Sequence, residues 1–203
     1  PIPTLSEEIN DIRLRTADIV ANRIIPNEGV IYRGGEKSKK LRLEINTEVK
    51  KQGLWAPHLP EEYGGMGNGF LVHAYMNEIL AWSPLGNRLF GVVAPNSGNQ
   101  KILVKYGTDE QKKKWLPKLA TAEWIGAWGL TEHNTGSDAG AMATTAAKEG
   151  DDWVLNGAKN FITHAISGDI AVVMARTSEK GDSHGMTAFV IEKGTPGFTS
   201  GKK

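Results

Sequence analysis

Cysteine is absent from all 203 positions of the chain. Disulfide frameworks and thiolate chemistry are therefore excluded, and the composition fits a reducing compartment. Also missing is any apolar run approaching the roughly 18 residues that a bilayer-spanning helix needs. The opening residues, Pro1-Ile2-Pro3-Thr4, carry neither the basic nor the apolar part of a signal peptide, though a chain that had lost its leader would read the same way. No sign of charge dominates: 24 basic and 23 acidic residues leave a formal net charge of +1. Global charge thus gives no support to a nucleic-acid or anionic-membrane partner. There is no Gly-x-Gly-x-x-Gly run after a strand pattern, which disfavours a Rossmann dinucleotide site, and no internal repeat.

What is present is a globular composition, 39% hydrophobic and 23% charged, long enough to bury a core. The first part has helical periodicity. Thr4 and Glu7 have capping-box spacing, and Ile9, Ile12, Ile19 and Val20 form an apolar stripe that Pro26 is expected to stop. Leu41, Ile45 and Val49 recur every four residues, with Gly53 where a left-handed C-terminal cap belongs. Pro57, Pro60, Gly64, Gly65, Gly67 and Gly69 break regular structure before Val72, Tyr75, Met76, Ile79 and Leu80 mark another helical face. Pro95 should end or kink a helix over 87–106, and Thr108 with Gln111 forms a second capping box. Lys112, Lys113 and Lys114 read as a solvated helix face.

After about residue 123 the period changes to 2. Residues 125–130, 144–148, 153–155, 170–175 and 187–191 read as strands, separated by Gly150-Asp151-Asp152 and followed by Gly194-Thr195-Pro196-Gly197. Helices followed by strands predict an α+β chain. The expected division is an α-helical domain over 1–123 and an incomplete, antiparallel, barrel-like β-domain over 124–203.

Two polar runs sit where strand patterns stop: Leu130-Thr131-Glu132-His133-Asn134-Thr135-Gly136-Ser137-Asp138-Ala139 and Asn156-Gly157-Ala158-Lys159-Asn160-Phe161-Ile162-Thr163-His164. Exposed N–H groups beside Thr and Ser hydroxyls can hold a flat polar heterocycle and its phosphates. Each run alone reads equally well as an ordinary surface loop, and Phe161 alone as core.

The combination resembles the acyl-CoA dehydrogenase family. Trp55-Ala56-Pro57 through Pro60-Glu61-Glu62-Tyr63-Gly64-Gly65 looks like its loop between the second and third helices, and Tyr106-Gly107-Thr108 through Leu116-Pro117 like its following helix start. Thr131-Glu132 with Gly136-Ser137-Asp138 is similar to its first signature. Val154-Leu155-Asn156-Gly157, Lys159 and Phe161-Ile162-Thr163 are similar to its second.

The resemblance implies FAD as cofactor and an acyl-CoA thioester as substrate, oxidised to the 2,3-enoyl form. It places Trp128, Leu130 and Thr131 at the edge of the isoalloxazine ring, with Phe161 and Ile162 against it. Thr163 is expected near N5 and O4, and Gly136 and Ser137 near the pyrophosphate, with Ser137 also near the thioester. Donors there would stabilise the reduced ring. Phe90, Gly91 and Ala94 are expected to border the acyl tail. An electron-transfer flavoprotein as acceptor, a homotetramer or homodimer, and a cytoplasmic or mitochondrial-matrix location follow from the same resemblance. An acyl-CoA oxidase or a non-catalytic relative is the alternative. No metal, nucleic acid or membrane is expected.

Three positions depart from the family pattern: His133 replaces a proline, Phe161 a common tryptophan and His164 an asparagine. The family's C-terminal helical bundle, which carries the base glutamate, has no counterpart in these residues. The chain is therefore expected to be a fragment, inactive alone, with no catalytic residue among Glu61, Glu62, Glu78 or Glu132.

Overall fold

The computed structural model describes residues 1–178 and 184–201. The chain divides into two compact units, Pro1–Ala122 and Glu123–Lys203.

The first unit is helical. Helix α1, Glu7–Ile19, is capped by Ser6, whose hydroxyl accepts from the Ile9 N–H at 3.3 Å. The expected Thr4–Glu7 box does not form. The Asn10 amide instead holds both the N–H and the carbonyl of Ile2, so the chain before Ser6 turns away from the helix. Nor does Pro26 stop the helical path. A π turn, Val20–Ile24, and a 3-10 turn, Ile25–Asn27, carry it into α2, Glu28–Arg33. The proline lies at the start of the 3-10 turn, where its missing N–H costs little.

Helix α3, Gly35–Lys51, ends as its sequence indicates. Gly53 adopts φ +67°, its N–H bonds the Lys50 carbonyl, and the Leu54 N–H reaches back to Val49, each at 3.0 Å. Gly65 is compelled by contact: a Cβ there would lie 2.2 Å from the Leu59 carbonyl oxygen. Helix α4, Gly69–Leu80, buries Val72, Met76, Ile79 and Leu80. The helix expected over 87–106 is split into α5, Gly86–Leu89, and α6, Asn96–Tyr106, with Pro95 immediately before α6. Helix α7, Asp109–Ala120, opens with the expected capping box and runs through Pro117. One core joins Ile19, Ile45, Val49, Leu54, Met76, Leu80 and Phe90.

The second unit is a mixed, unclosed sheet of β1, Gly126–Gly129; β2, Thr145–Glu149; β3, Asp152–Asn156; β4, Ile170–Arg176; and β5, Met186–Glu192. Strand β4 is central and almost wholly buried. Its register pairs β5 along one stretch, while β1 faces 170–173 and β2 reaches Arg176. The expected antiparallel pairing holds for β2 with β3 and β4 with β5. It fails for β1, which runs parallel to β4, and for the short β2–β4 contact at Thr145 and Arg176, which is also parallel. The long connection between β1 and β4 supplies the crossover that a parallel pair needs. Among the described residues no helix is long and apolar enough to cross a membrane.

Thr108→Ala removes the cap that accepts the Gln111 N–H at 3.3 Å. It should destabilise the chain by about 1 kcal/mol. Urea unfolding of the two forms checks this; equal midpoints would show that the box contributes nothing.

Candidate functional site

Leaving β1, the chain makes a tight turn. The Glu132 N–H donates to the Thr135 carbonyl at 3.0 Å and the Thr135 N–H returns to Glu132 at 3.4 Å, leaving His133 and Asn134 exposed at the tip. Backbone bonds close this turn without the fixed φ of a proline. They also aim the Glu132 side chain inward, where only 6% of it is exposed.

Inside, Glu132 meets three donors. Its Oε2 accepts from the Ala143 N–H at 2.6 Å, and its Oε1 accepts from the Thr144 N–H at 3.0 Å and from Lys159 Nζ at 2.7 Å. Lys159, 9% exposed, also donates to the Leu130 carbonyl at 3.2 Å. Next to it, the Asn160 N–H bonds the Thr131 carbonyl at 2.8 Å. The two polar runs are thus fastened to each other and to the start of β2. Burial alone would raise the Glu132 pKa, but Lys159, Thr144 and the Ala143 N–H outweigh it and hold the carboxyl at about 2.

Gly157 keeps the second run close. A Cβ there would lie 2.4 Å from Thr144 Oγ1 and 2.7 Å from Thr144 Cα, so no other residue fits without moving β2. Beyond Lys159, Phe161 has φ +56° and is 96% exposed. A left-handed backbone is costly for a residue with a side chain, and full exposure of an aromatic ring recovers none of that cost. Ile162 turns back to pack on Ala127, Ala171 and Val173. Thr163 is exposed; His164, φ +65°, bonds Ser167 through Nδ1 at 3.0 Å. The Ile125 N–H, held by Asp169 at 2.9 Å, leads the chain back into β4.

Of the residues singled out from the sequence, Trp128, Leu130 and Thr131 are half-buried along and after β1. Leu130 and Thr131 are bonded to Lys159 and Asn160, and so lie against the run that carries Phe161, Ile162 and Thr163. Gly136 and Ser137 follow the turn and are exposed, with open space around Gly136. Phe90, Gly91 and Ala94 belong to the helical unit. There Phe90 is fully buried and Gly91 faces the Trp55 ring, where a Cβ would come within 2.7 Å, leaving Ala94 at the surface. The Glu132–Lys159 ion pair joins two residues that the sequence motifs contain separately, without showing their contact. Its signal was weak: Lys159 is the only lysine or arginine in the second run, but the first run carries two acids, Glu132 and Asp138, and nothing in the sequence says which of them it meets.

The helical unit has a separate open cleft of about 400 Å³, lined by His58, His73, Glu61 and Lys101. Gln100 donates to the Leu119 carbonyl at 2.6 Å, so its Oε1 accepts from His58 Nε2 at 2.5 Å. Burial, with Lys101 nearby, holds both imidazoles below their ordinary pKa. Among the described residues no group of three metal-type side chains converges.

Comparison with known proteins follows the two units. Residues 6–123 match the family model described as "Acyl-CoA dehydrogenase, N-terminal domain", and residues 127–203 match "Acyl-CoA dehydrogenase, middle domain". An acyl-CoA dehydrogenase of Bacillus subtilis (strain 168) is 36% identical over 194 residues, covering 95% of this chain and 49% of the relative. Two solved structures are similar. An acyl-CoA dehydrogenase from Geobacillus kaustophilus is 33% identical with a TM-score of 0.72, covering 100% of this chain and 52% of that one. A glutaryl-CoA dehydrogenase from Mycobacterium smegmatis, in complex with FADH2, is 30% identical with a TM-score of 0.74, covering 96% and 48%. The chain spans about half the length of the curated relatives it matches.

The depressed Glu132 pKa gives stability that is fully present above the ordinary carboxyl value of 4.5 and is lost as pH falls toward about 2. The contribution is on the order of 3 kcal/mol. Glu132→Gln should therefore unfold more easily than the parent at pH 7, with the gap narrowing steadily below pH about 4.5. Urea unfolding of both forms across that range measures it; a gap independent of pH would contradict the assignment.

Proposed function

Because the chain belongs to the acyl-CoA dehydrogenase family, we propose that the whole protein is an FAD-dependent enzyme that oxidises an acyl-CoA thioester to its 2,3-enoyl form. The observation that carries this reading is the donor set of the second unit. The carbonyls of Leu130 and Thr131 are engaged, while their N–H groups and the Thr131 hydroxyl have no acceptor among the described residues. A run of free donors fits the carbonyl-rich pyrimidine edge of a flavin. The exposed Phe161 ring, on the run fastened to that edge, offers a face for stacking. FAD therefore fits the residues present.

In this reading Leu130 and Thr131 hold the pyrimidine side, Thr163 donates near the redox-active edge, and Gly136 and Ser137 meet the pyrophosphate. When bound, the flavin supplies the hydride acceptor. The residues of this chain orient it, exclude water and offer donors where negative charge develops. Glu132 does not serve as the base. Its carboxylate is buried, bonded to three donors and held at about 2, too weak to accept a proton from carbon. The proton acceptor at the α-carbon is assigned to a part of the protein outside these 203 residues. Electron-transfer flavoprotein as acceptor and homo-oligomeric assembly complete the proposal.

The test uses the full-length protein. It should purify with flavin absorption, and an acyl-CoA should bleach that absorption without oxygen. Thr163→Val should bind FAD but slow the bleaching by an amount equivalent to about 2–4 kcal/mol. An unchanged rate would remove Thr163 from that role. A colourless full-length protein that does not take up FAD would overturn the reading itself. Residues 1–203 alone should give no turnover with an acyl-CoA and a dye acceptor, and robust turnover would place a base within them.

A further inference from the structure

The donor character of the 130–131 segment depends on a group outside it. In the parallel register with β4, β1 ends at Gly129, so Leu130 lies just past the ladder. Its carbonyl is capped by the Lys159 ammonium at 3.2 Å, and the following carbonyl by the Asn160 N–H at 2.8 Å. Were the Leu130 carbonyl open, the edge would offer an acceptor among donors, mismatched to an acceptor-rich ring. Lys159 can stand there while buried because Glu132 lies 2.7 Å from it and is itself fixed by the N–H groups of Ala143 and Thr144.

We propose that the Glu132–Lys159 ion pair is a positioning device for the flavin: it caps the Leu130 carbonyl, keeps the segment a donor-only edge, and leaves no net charge beside the ring. The inference rests on the FAD reading above. It makes two claims that a merely structural pair would not. Flavin affinity depends on the ammonium at residue 159 rather than on side-chain bulk. The potential of the bound flavin moves in opposite directions when either charge is removed, because one change leaves a positive and the other a negative charge near the ring.

The experiment uses the full-length protein and its Lys159→Met, Lys159→Arg and Glu132→Gln variants, with the double variant Glu132→Gln/Lys159→Met. FAD affinity is followed by flavin fluorescence, the potential by spectroelectrochemistry and the fold by circular dichroism. Lys159→Met should lose affinity about tenfold or more, as when one charge-assisted hydrogen bond is removed. Lys159→Arg should stay within about threefold of the parent, since it keeps the charge and the donors. Lys159→Met should lower the flavin potential and Glu132→Gln should raise it. If the single lysine variant fails to fold around an unpaired Glu132, the double variant decides, because it leaves no buried charge. It should fold and still bind FAD about tenfold more weakly. Parent-like affinity in the double variant, equal losses in Lys159→Met and Lys159→Arg, or potential shifts of the same sign would each overturn the inference. Failure of the parent to bind FAD would instead overturn the functional reading, and the inference with it.

Discussion

Two opposite charges placed 2.7 Å apart, with 6% and 9% of their side chains exposed, set the terms for the second unit. Removing charges from water is expensive, and a buried pair is tolerated only when further hydrogen bonds complete it. Here the N–H groups of Ala143 and Thr144 and the Leu130 carbonyl do so. The consequence is geometric as well as energetic. Residues 130–132, 143–144 and 159–160 are distant in sequence, and one ion pair with its neighbouring bonds fixes them together. The β2–β3 register, which sets Thr145 opposite Asn156, already brings Gly157 against Thr144, and Phe161 can persist in a left-handed backbone because the run before it is anchored.

The same constraint explains why the carboxylate nearest the proposed ring in sequence is not a catalytic one. An acid held at about 2 by its neighbours has already committed its lone pairs to structure. The chemistry proposed for this chain is accordingly that of holding a flavin with backbone donors, hydroxyls and an aromatic face, with Glu132 taking no part in proton transfer. The helical unit contributes a core closed by Phe90 and Trp55, whose indole N–H is tied to the Ala120 carbonyl at 2.8 Å.

Much of the fold was legible because its signals are local. The strands lie within a residue or two of the stretches marked by period 2, and the Thr108–Gln111 box and the Gly53 cap form where their residue types point. Signals that compete or act over distance were harder to read. Ser6 displaced Thr4 because Asn10 captures Ile2, and Pro26 was absorbed by a change of helical pitch rather than ending the path. The parallel pairing of β1 with β4 depends on chain crossover, which alternation within a strand cannot encode. At the site, the two polar runs were visible as loops, but the bond between them was not. Whether a glutamate and a lysine far apart in sequence meet is settled by burial, and burial is not written in either run alone.

A double-mutant cycle on Glu132 and Lys159 tests the central claim most directly. The unfolding free energies of the parent, Glu132→Gln, Lys159→Met and the double variant at pH 7 give the coupling between the two side chains. An exposed ion pair would give about 0–1 kcal/mol. A buried pair that holds three segments together should give about 2–4 kcal/mol, with the double variant more stable than either single one. A coupling below about 0.5 kcal/mol would mean that the loops are held by something else, and the account of this unit would fail.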